Sequence, residues 1–171
     1  MIIGAWLLII GYLIPMSKFN TKILTRISWL LGVAIFWLLD IYFKKISLAY
    51  LSTPTEHLYT CDSFICFQPT INNNLAFSLP LPLYLILFLN ILIGAFLFGW
   101  YLKTKGTEKI ALLAVILGGL SNLADRLIHN GVVDYIMIGW WPVFNLADAL
   151  IIAGILWLLY NLIFLNKKIQ N

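Results

Sequence analysis

Charge is the scarcest property of this chain. Asp, Glu, Lys and Arg supply 11% of its 171 residues, against 62% hydrophobic ones. That balance excludes an ordinary water-soluble domain, because a chain of this length cannot hide so much apolar side chain from water. Histidine and cysteine are rare too, with two of each. His57 and His129 stand far apart in the chain, whereas a zinc site wants more ligands at tighter spacing, so no metal is expected. Cys61 and Cys66 have no second pair to pass electrons to, and their spacing is a weak redox signal, which argues against a membrane thiol oxidoreductase. Low-complexity tracts are absent. So is any repeat unit, apart from one tetrapeptide, Asn-Leu-Ala-Asp, which stands at 122–125 and again at 145–148.

What is present is apolar length. The mean hydropathy is +0.95. A spanning helix needs about 17–25 apolar residues, and four runs meet that need: 27–43, 81–102, 110–124 with a lead-in at 107–109, and 143–165. A fifth run, 1–16, is short and has neither a basic n-region nor a small-residue cleavage site. It is expected to be an extra transmembrane helix, not a cleaved signal peptide. The fold expected is an all-α integral membrane bundle of four core helices plus that extra one. Residues 1–26 form the extra segment with a basic cytoplasmic loop, 27–166 the membrane domain, and 167–171 a cytoplasmic tail.

The basic residues orient the bundle. Lys18, Lys22 and Arg26, then Lys103, Lys105 and Lys109, then Lys167 and Lys168 fall on one side under a single threading, and that side is the cytoplasm. The amino terminus is then outside. The formal net charge of +4 thus reports topology, and with no basic face left over nucleic acid is not an expected partner. The outer side carries a polar stretch, 46–80, whose aromatic and β-branched pieces at 57–60 and 64–67 suggest a small extracytoplasmic β-unit. An oxidising outer compartment favours a Cys61–Cys66 disulfide, with free thiols as the alternative. In a second outer segment Asn130-Gly131 marks a turn, Val132–Ile138 is a strand or a surface helix, and Trp140 and Trp141 are interface anchors.

Four of the seven acidic residues, Asp40, Asp125, Asp134 and Asp148, collect at the outer boundary. At spacing i, i+3, Asn and Asp share a helix face. Asp125 near the end of one helix and Asp148 near the start of its antiparallel neighbour therefore fall at similar depth. If the last helix starts at Pro142, Asp148 lies about 9 Å deep and is the most buried of the set. Two facing carboxylates in a low dielectric share one proton, which is the arrangement of an aspartic peptidase. Asn122 and Asn145 would orient them. Spacing alone leaves a second reading open, in which the same residues are interhelical hydrogen-bond glue in a transporter or scaffold. Asp40 and Lys44, at i, i+4, read as a boundary salt bridge with a snorkelling lysine. Asp134 reads as a cap or turn residue.

These residues resemble the motifs of the lipoprotein signal peptidases, also called signal peptidase II. Gly118-Gly119-Leu120-Ser121-Asn122-Leu123-Ala124-Asp125-Arg126 is similar to the family's glycine-rich Gly-Asn-x-x-Asp-Arg segment, with Ser121 in place of a glycine. Val132-Val133-Asp134-Tyr135-Ile136 resembles Val-Val-Asp-Phe-Ile, and Phe144-Asn145-Leu146-Ala147-Asp148 matches Phe-Asn-x-Ala-Asp. Asp40 to Lys44 matches Asp-x-x-x-Lys. Asn72 to Ser78 loosely resembles Asn-x-Gly-x-Ala-Phe-Ser, with Asn74 at the glycine, where a left-handed backbone is expected. The resemblance implies an aspartic endopeptidase that needs no cofactor, a monomer in the bacterial inner membrane with its active site near the extracytoplasmic face. It would cut the signal peptide from a prolipoprotein before a diacylglyceryl-modified cysteine, in contact with membrane lipid. It implies Asp125 and Asp148 as the catalytic dyad. Asn122, Arg126 and Asn145 would line the site, Asp40 and Lys44 support it, and Asn72 belong to an outer cradle. Asp134, Gly118 and Gly119 are expected to be structural, with Ser121 small enough for close helix packing.

Overall fold

The computed structural model describes residues 21–53, 63–74 and 81–165. The run 1–16, the piece 57–60, Cys61 and the tail 167–171 lie outside the described residues. Helix α1 spans Thr21–Leu51, strand β1 Ile65–Asn72, helix α2 Leu83–Lys103, helix α3 Thr107–His129, strand β2 Val132–Ile138 and helix α4 Leu146–Tyr160. A π-helical turn, Asn161–Leu165, extends α4. All four helices are long and apolar enough to cross a membrane. Helix α1 begins before the apolar run does, so Arg26 stands in its second turn and not in a loop.

The bundle is apolar on the outside. Along α1, Leu31, Ile35, Leu38 and Tyr42 are exposed at helical spacing; in lipid such a face needs no cover. The core sits around α3, whose buried stripe runs Ala111, Leu112, Ala114, Val115, Gly118, Ser121, Asn122, Asp125. One stripe is thus apolar at one end and polar at the other. Helix association in lipid relies on close packing of small residues, and α3 meets α4 that way. A Cβ on Gly118 would lie 2.6 Å from the Ala147 carbonyl oxygen, and one on Gly154 would lie 2.7 Å from that of Ala111. Gly119 faces open space, with nothing within 4 Å of a Cβ placed there. Its side lines an apolar groove of about 900 Å³ between α2, α3 and α4, which reaches Leu123.

The helix ends follow from local chemistry. At the α2–α3 hairpin Thr104 stops α2, its hydroxyl donating to the Trp100 carbonyl at 2.9 Å. Gly106, at φ 75°, makes the turn into α3. At the other end of α3, Asn130 adopts the left-handed conformation (φ 59°) and ends the helix, as the Asn-Gly pair implied. Val132–Ile138 then forms a strand, antiparallel to β1, with Thr70 opposite Asp134 and Asn72 opposite Val132. The register shifts between Phe67 and Thr70, where Pro69 cannot donate a ladder hydrogen bond. Tyr135 binds the sheet to α1 by a ring contact with Phe43 at 5.6 Å, and packs on Phe67 of β1 at 6.0 Å.

Candidate active site

The site forms where the polar end of the α3 stripe meets the ends of α1 and α4 beneath the two-stranded sheet. Lys44 is at its centre. The expected snorkelling lysine is not found: Lys44 is 4% exposed and turns inward. Its Nζ lies 3.2 Å from Asp40 Oδ2 and 2.8 Å from Asp125 Oδ2. It also donates to Ser121 Oγ at 2.9 Å and to Asn122 Oδ1 at 3.0 Å. The reason is the company Lys44 finds. An ammonium that meets two carboxylates and two neutral acceptors recovers its lost hydration inside the bundle, so it has no cause to reach for the headgroups.

Asp40 is fully buried and saturated with donors. Oδ1 accepts from Tyr135 Oη (3.0 Å) and from the Ala147 amide (3.0 Å). Oδ2 accepts from Ser121 Oγ at 2.6 Å as well as pairing with Lys44. Asp125 pairs with Lys44 and accepts the Val133 amide at 3.1 Å. Asp148 Oδ1 accepts from Asn122 Nδ2 at 2.8 Å, and Oδ2 from the Asn145 amide at 3.3 Å. Asn122 therefore links the two sides of the site. Its carbonyl oxygen takes the lysine that holds Asp125, and its amide nitrogen holds Asp148.

The two copies of Asn-Leu-Ala-Asp are used differently. In the first, Asn122 and Asp125 lie on the buried face of α3. The second is a capping box, in which Asn145 Oδ1 accepts the Asp148 amide (2.9 Å) while the Asp148 carboxylate accepts the Asn145 amide. This corrects the expected depth of Asp148. The chain from Pro142 to Asn145 is not helical; Phe144 instead pairs with Ile136 across the top of the site. The helix begins at Leu146, Asp148 sits in its first turn, and it is half-buried where Asp40 and Asp125 are buried.

Asn145 has no exposed surface. Its Nδ2 donates to Asp134 Oδ1 at 2.8 Å and to Asn122 Oδ1 at 3.1 Å. Asn72 Nδ2 reaches Asp134 Oδ2 at 3.2 Å. Asp134 is therefore held from both sides beside the site, and is neither a cap nor a turn residue. Burial, with the Asp148 charge next, pushes its carboxyl up to about 7. The Tyr135 hydroxyl is likewise pushed up, by burial first and then by the Asp40 charge. Asn74 does not take the left-handed backbone expected of it: among the described residues other than glycine, only Asn130 has positive φ. An Asx turn serves instead, with the Asn74 amide donating to Asn72 Oδ1 at 3.0 Å. Arg126 is half-buried, its Nη1 reaching the Asn122 carbonyl at 3.5 Å, and it feels the charges of Asp148, Asp134 and Asp125.

Ser121 and Tyr135 are the side chains of the site that the sequence undervalues. Ser121 was expected only as a small packing residue and Tyr135 only as a motif letter. The signal for Ser121 was its place four residues before Asp125 on the buried stripe. Nothing local marks Tyr135, because its hydroxyl acts on a helix far away in the chain. Cys66 is in a disulfide and no described cysteine is free; Cys61 is the chain's one other cysteine. Among the described residues no three His, Cys, Asp or Glu are grouped to hold a metal ion.

With this geometry in place, comparison with known proteins is informative. Residues 32–164 match the family model described as signal peptidase (SPase) II. The chain is similar to the lipoprotein signal peptidase of Chlamydia felis, at 33% identity over 82% of this chain and 94% of that one. It is also similar to that of Aquifex aeolicus, at 32% identity over 86% and 94% of the two chains. Two solved bacterial membrane enzymes share the fold. One gives a TM-score of 0.65 at 22% identity over 85% of this chain and 88% of that one; the other gives 0.63 at 21% over 86% and 95%. The chain belongs to the signal peptidase II family, the membrane peptidases that remove signal peptides from prolipoproteins.

Proposed function

We propose that Asp125 and Asp148 are the catalytic dyad of this peptidase, that it cuts before a diacylglyceryl-modified cysteine, and that the site opens at the extracytoplasmic end of the bundle. The observation that carries the dyad is Asn122, whose two side-chain atoms tie the Asp125–Lys44 pair to Asp148. The two carboxyls, tied together through Asn122, are not equivalent. Asp125 is buried and ion-paired; Asp148 is half-buried and held by neutral donors. An aspartic peptidase needs such inequivalence, with one carboxylate free to take a proton and one carboxyl ready to give one.

In this reading a water sits between the two. Asp125 takes its proton as the oxygen attacks the scissile carbonyl, and Asp148 gives its own proton to the carbonyl oxygen. When the C–N bond breaks, Asp125 returns its proton to the leaving nitrogen, and Asp148 recovers one from the intermediate. The charges support this. Asp40, Asp125, Asp134 and Asp148 face two cations, Lys44 and Arg126. One proton shared by the dyad and one on Asp134 bring the site to neutrality, which a low dielectric favours. The groove that reaches Leu123 is mostly apolar, which suits an apolar signal sequence and a lipid-bearing residue. Lys103, Lys105 and Lys109, at and beside the α2–α3 turn, set against the acidic site at the other end, support the orientation. None of the proposed steps calls for a cofactor.

Cleavage of a diacylglyceryl-modified prolipoprotein by the purified protein tests the proposal. Asp125→Asn and Asp148→Asn should each abolish cleavage, and the double variant should be no worse, since the two act as one unit. Near-normal cleavage by either single variant would return these residues to the role of interhelical glue.

A further inference from the structure

Asp40 is a carboxylate with no exposed surface, and every element around it sends it a donor. Lys44 comes from α1, Ser121 from α3, Tyr135 from β2 and the Ala147 amide from α4. Two of these donors are hydroxyls, and they divide the carboxylate between them. Ser121 Oγ lies 2.6 Å from Oδ2, and Tyr135 Oη lies 3.0 Å from Oδ1. Neither hydroxyl stops there. Ser121 Oγ accepts from Lys44 Nζ at 2.9 Å, and Tyr135 Oη accepts the Leu146 amide at 3.2 Å. Each is therefore oriented: Ser121 takes a proton donor from the lysine and gives its own hydrogen to Asp40, and Tyr135 does the same between the start of α4 and Asp40. These are also the two positions where the motif letters quoted above are glycine and phenylalanine, residues without a hydroxyl.

We propose that Ser121 and Tyr135 are positioning residues that act on Asp125 through Asp40 and Lys44. Lys44 Nζ has acceptors on both sides, Asp40 at 3.2 Å and Asp125 at 2.8 Å. Where the ammonium rests depends on where the Asp40 carboxylate is held and how much of its charge is met by other donors. The two hydroxyls lock the Asp40 rotamer and share its negative charge, which frees Lys44 to lie closer to Asp125. Without them Asp40 draws the lysine toward itself, and the pairing that sets Asp125 for its proton weakens. The charged and titratable groups in reach are Asp40 and Lys44 from α1, Asp125 and Arg126 from α3, and Asp134 and Tyr135 itself from β2. From α4 the group at hand is Asp148, across Asn122.

The proposal rests on Asp125 being the proton acceptor, so the test separates the two. Full-length protein would be assayed on a diacylglyceryl-modified prolipoprotein for kcat, KM and the pH–rate profile. The variants are Ser121→Ala, Tyr135→Phe, their combination and Asp125→Asn. Each single hydroxyl variant should lose about tenfold in kcat, the loss expected of a hydrogen bond to a charged group, with KM within about twofold. The acidic limb of the profile should move by about half a unit or more. The double variant should lose less than the product of the singles, because both hydroxyls act on one carboxylate. If the double variant does not fold, the two singles decide by the same readouts. An unmoved pH profile in both singles would overturn the proposal, whether kcat was unchanged or fell only in step with thermal stability. Activity in Asp125→Asn would instead overturn the assignment beneath it.

Discussion

At the scale of the residue, the chain shows how a scarce charge is used. Lys44 and its neighbour Lys45 are identical in type, yet Lys45 is exposed and Lys44 is buried among two carboxylates. Lys44→Met should destabilise the fold by about 3–5 kcal/mol, because it leaves buried carboxylates without their cation, and should abolish cleavage. Lys45→Ala should change stability by no more than about 0.5 kcal/mol; thermal unfolding in detergent measures both. Asp134 gives a pH signature. Its carboxyl, raised to about 7, holds its proton more tightly folded than unfolded. The stability this gives is complete below the ordinary carboxyl range and is lost as pH rises through about 7. Melting temperature should therefore fall from pH 5 to pH 8, by an amount on the order of a few kcal/mol in stability, and Asp134→Asn should flatten that slope. The acids were legible in the sequence because polar groups in a long apolar run have few other uses. Their partners were less so. That Lys44 would turn inward depends on Asp125, which lies on another helix.

At the scale of the element, small residues decide how close the helices come. Gly118 and Gly119 are neighbours of one type, and the structure gives them different work. Gly118→Ala would drive a methyl to 2.6 Å from the Ala147 carbonyl, parting α3 from α4 just below the site. A loss of about 1–3 kcal/mol and of most activity is expected. Gly119→Ala meets nothing within 4 Å, and should raise helix stability by up to about 1 kcal/mol. Equal effects of the two on melting temperature would contradict this packing. The four spans were legible from apolar length and the Asn130 turn from its dipeptide. The start of α4 was not, because Pro142 is followed by a chain that looks helical by composition. What holds it extended is its pairing with Ile136, a contact with a separate strand that no local pattern encodes. The choice between strand and helix for Val132–Ile138 was open for the same reason: its partner, β1, lies in a distant loop.

At the scale of the whole molecule, the site is a joint between three membrane helices and a sheet, and among the described residues its hydrogen-bonded and ion-paired side chains all come from Asp40 onward. A protein beginning near Ser17 should therefore keep its cleavage activity; loss of turnover in a well-folded truncation would show that the leading run contributes to the reaction. The same joint bears on biogenesis. Membrane helices enter the bilayer in the order they are made, and α1 is made long before α3. Asp40 and Lys44 pair within α1 itself, one turn apart, so these two inward-facing charges can cancel each other as the helix leaves the insertion machinery. Neither residue alone could enter the bilayer without a penalty of about 2.5–3.5 kcal/mol. When α3 arrives it brings a second carboxylate, Asp125, to a lysine already in the membrane. The pair that later supports chemistry is thus first a passport for its own helix, and Lys44→Met should lower the inserted fraction of α1 in a cell-free membrane-integration assay even when everything after α1 has been removed.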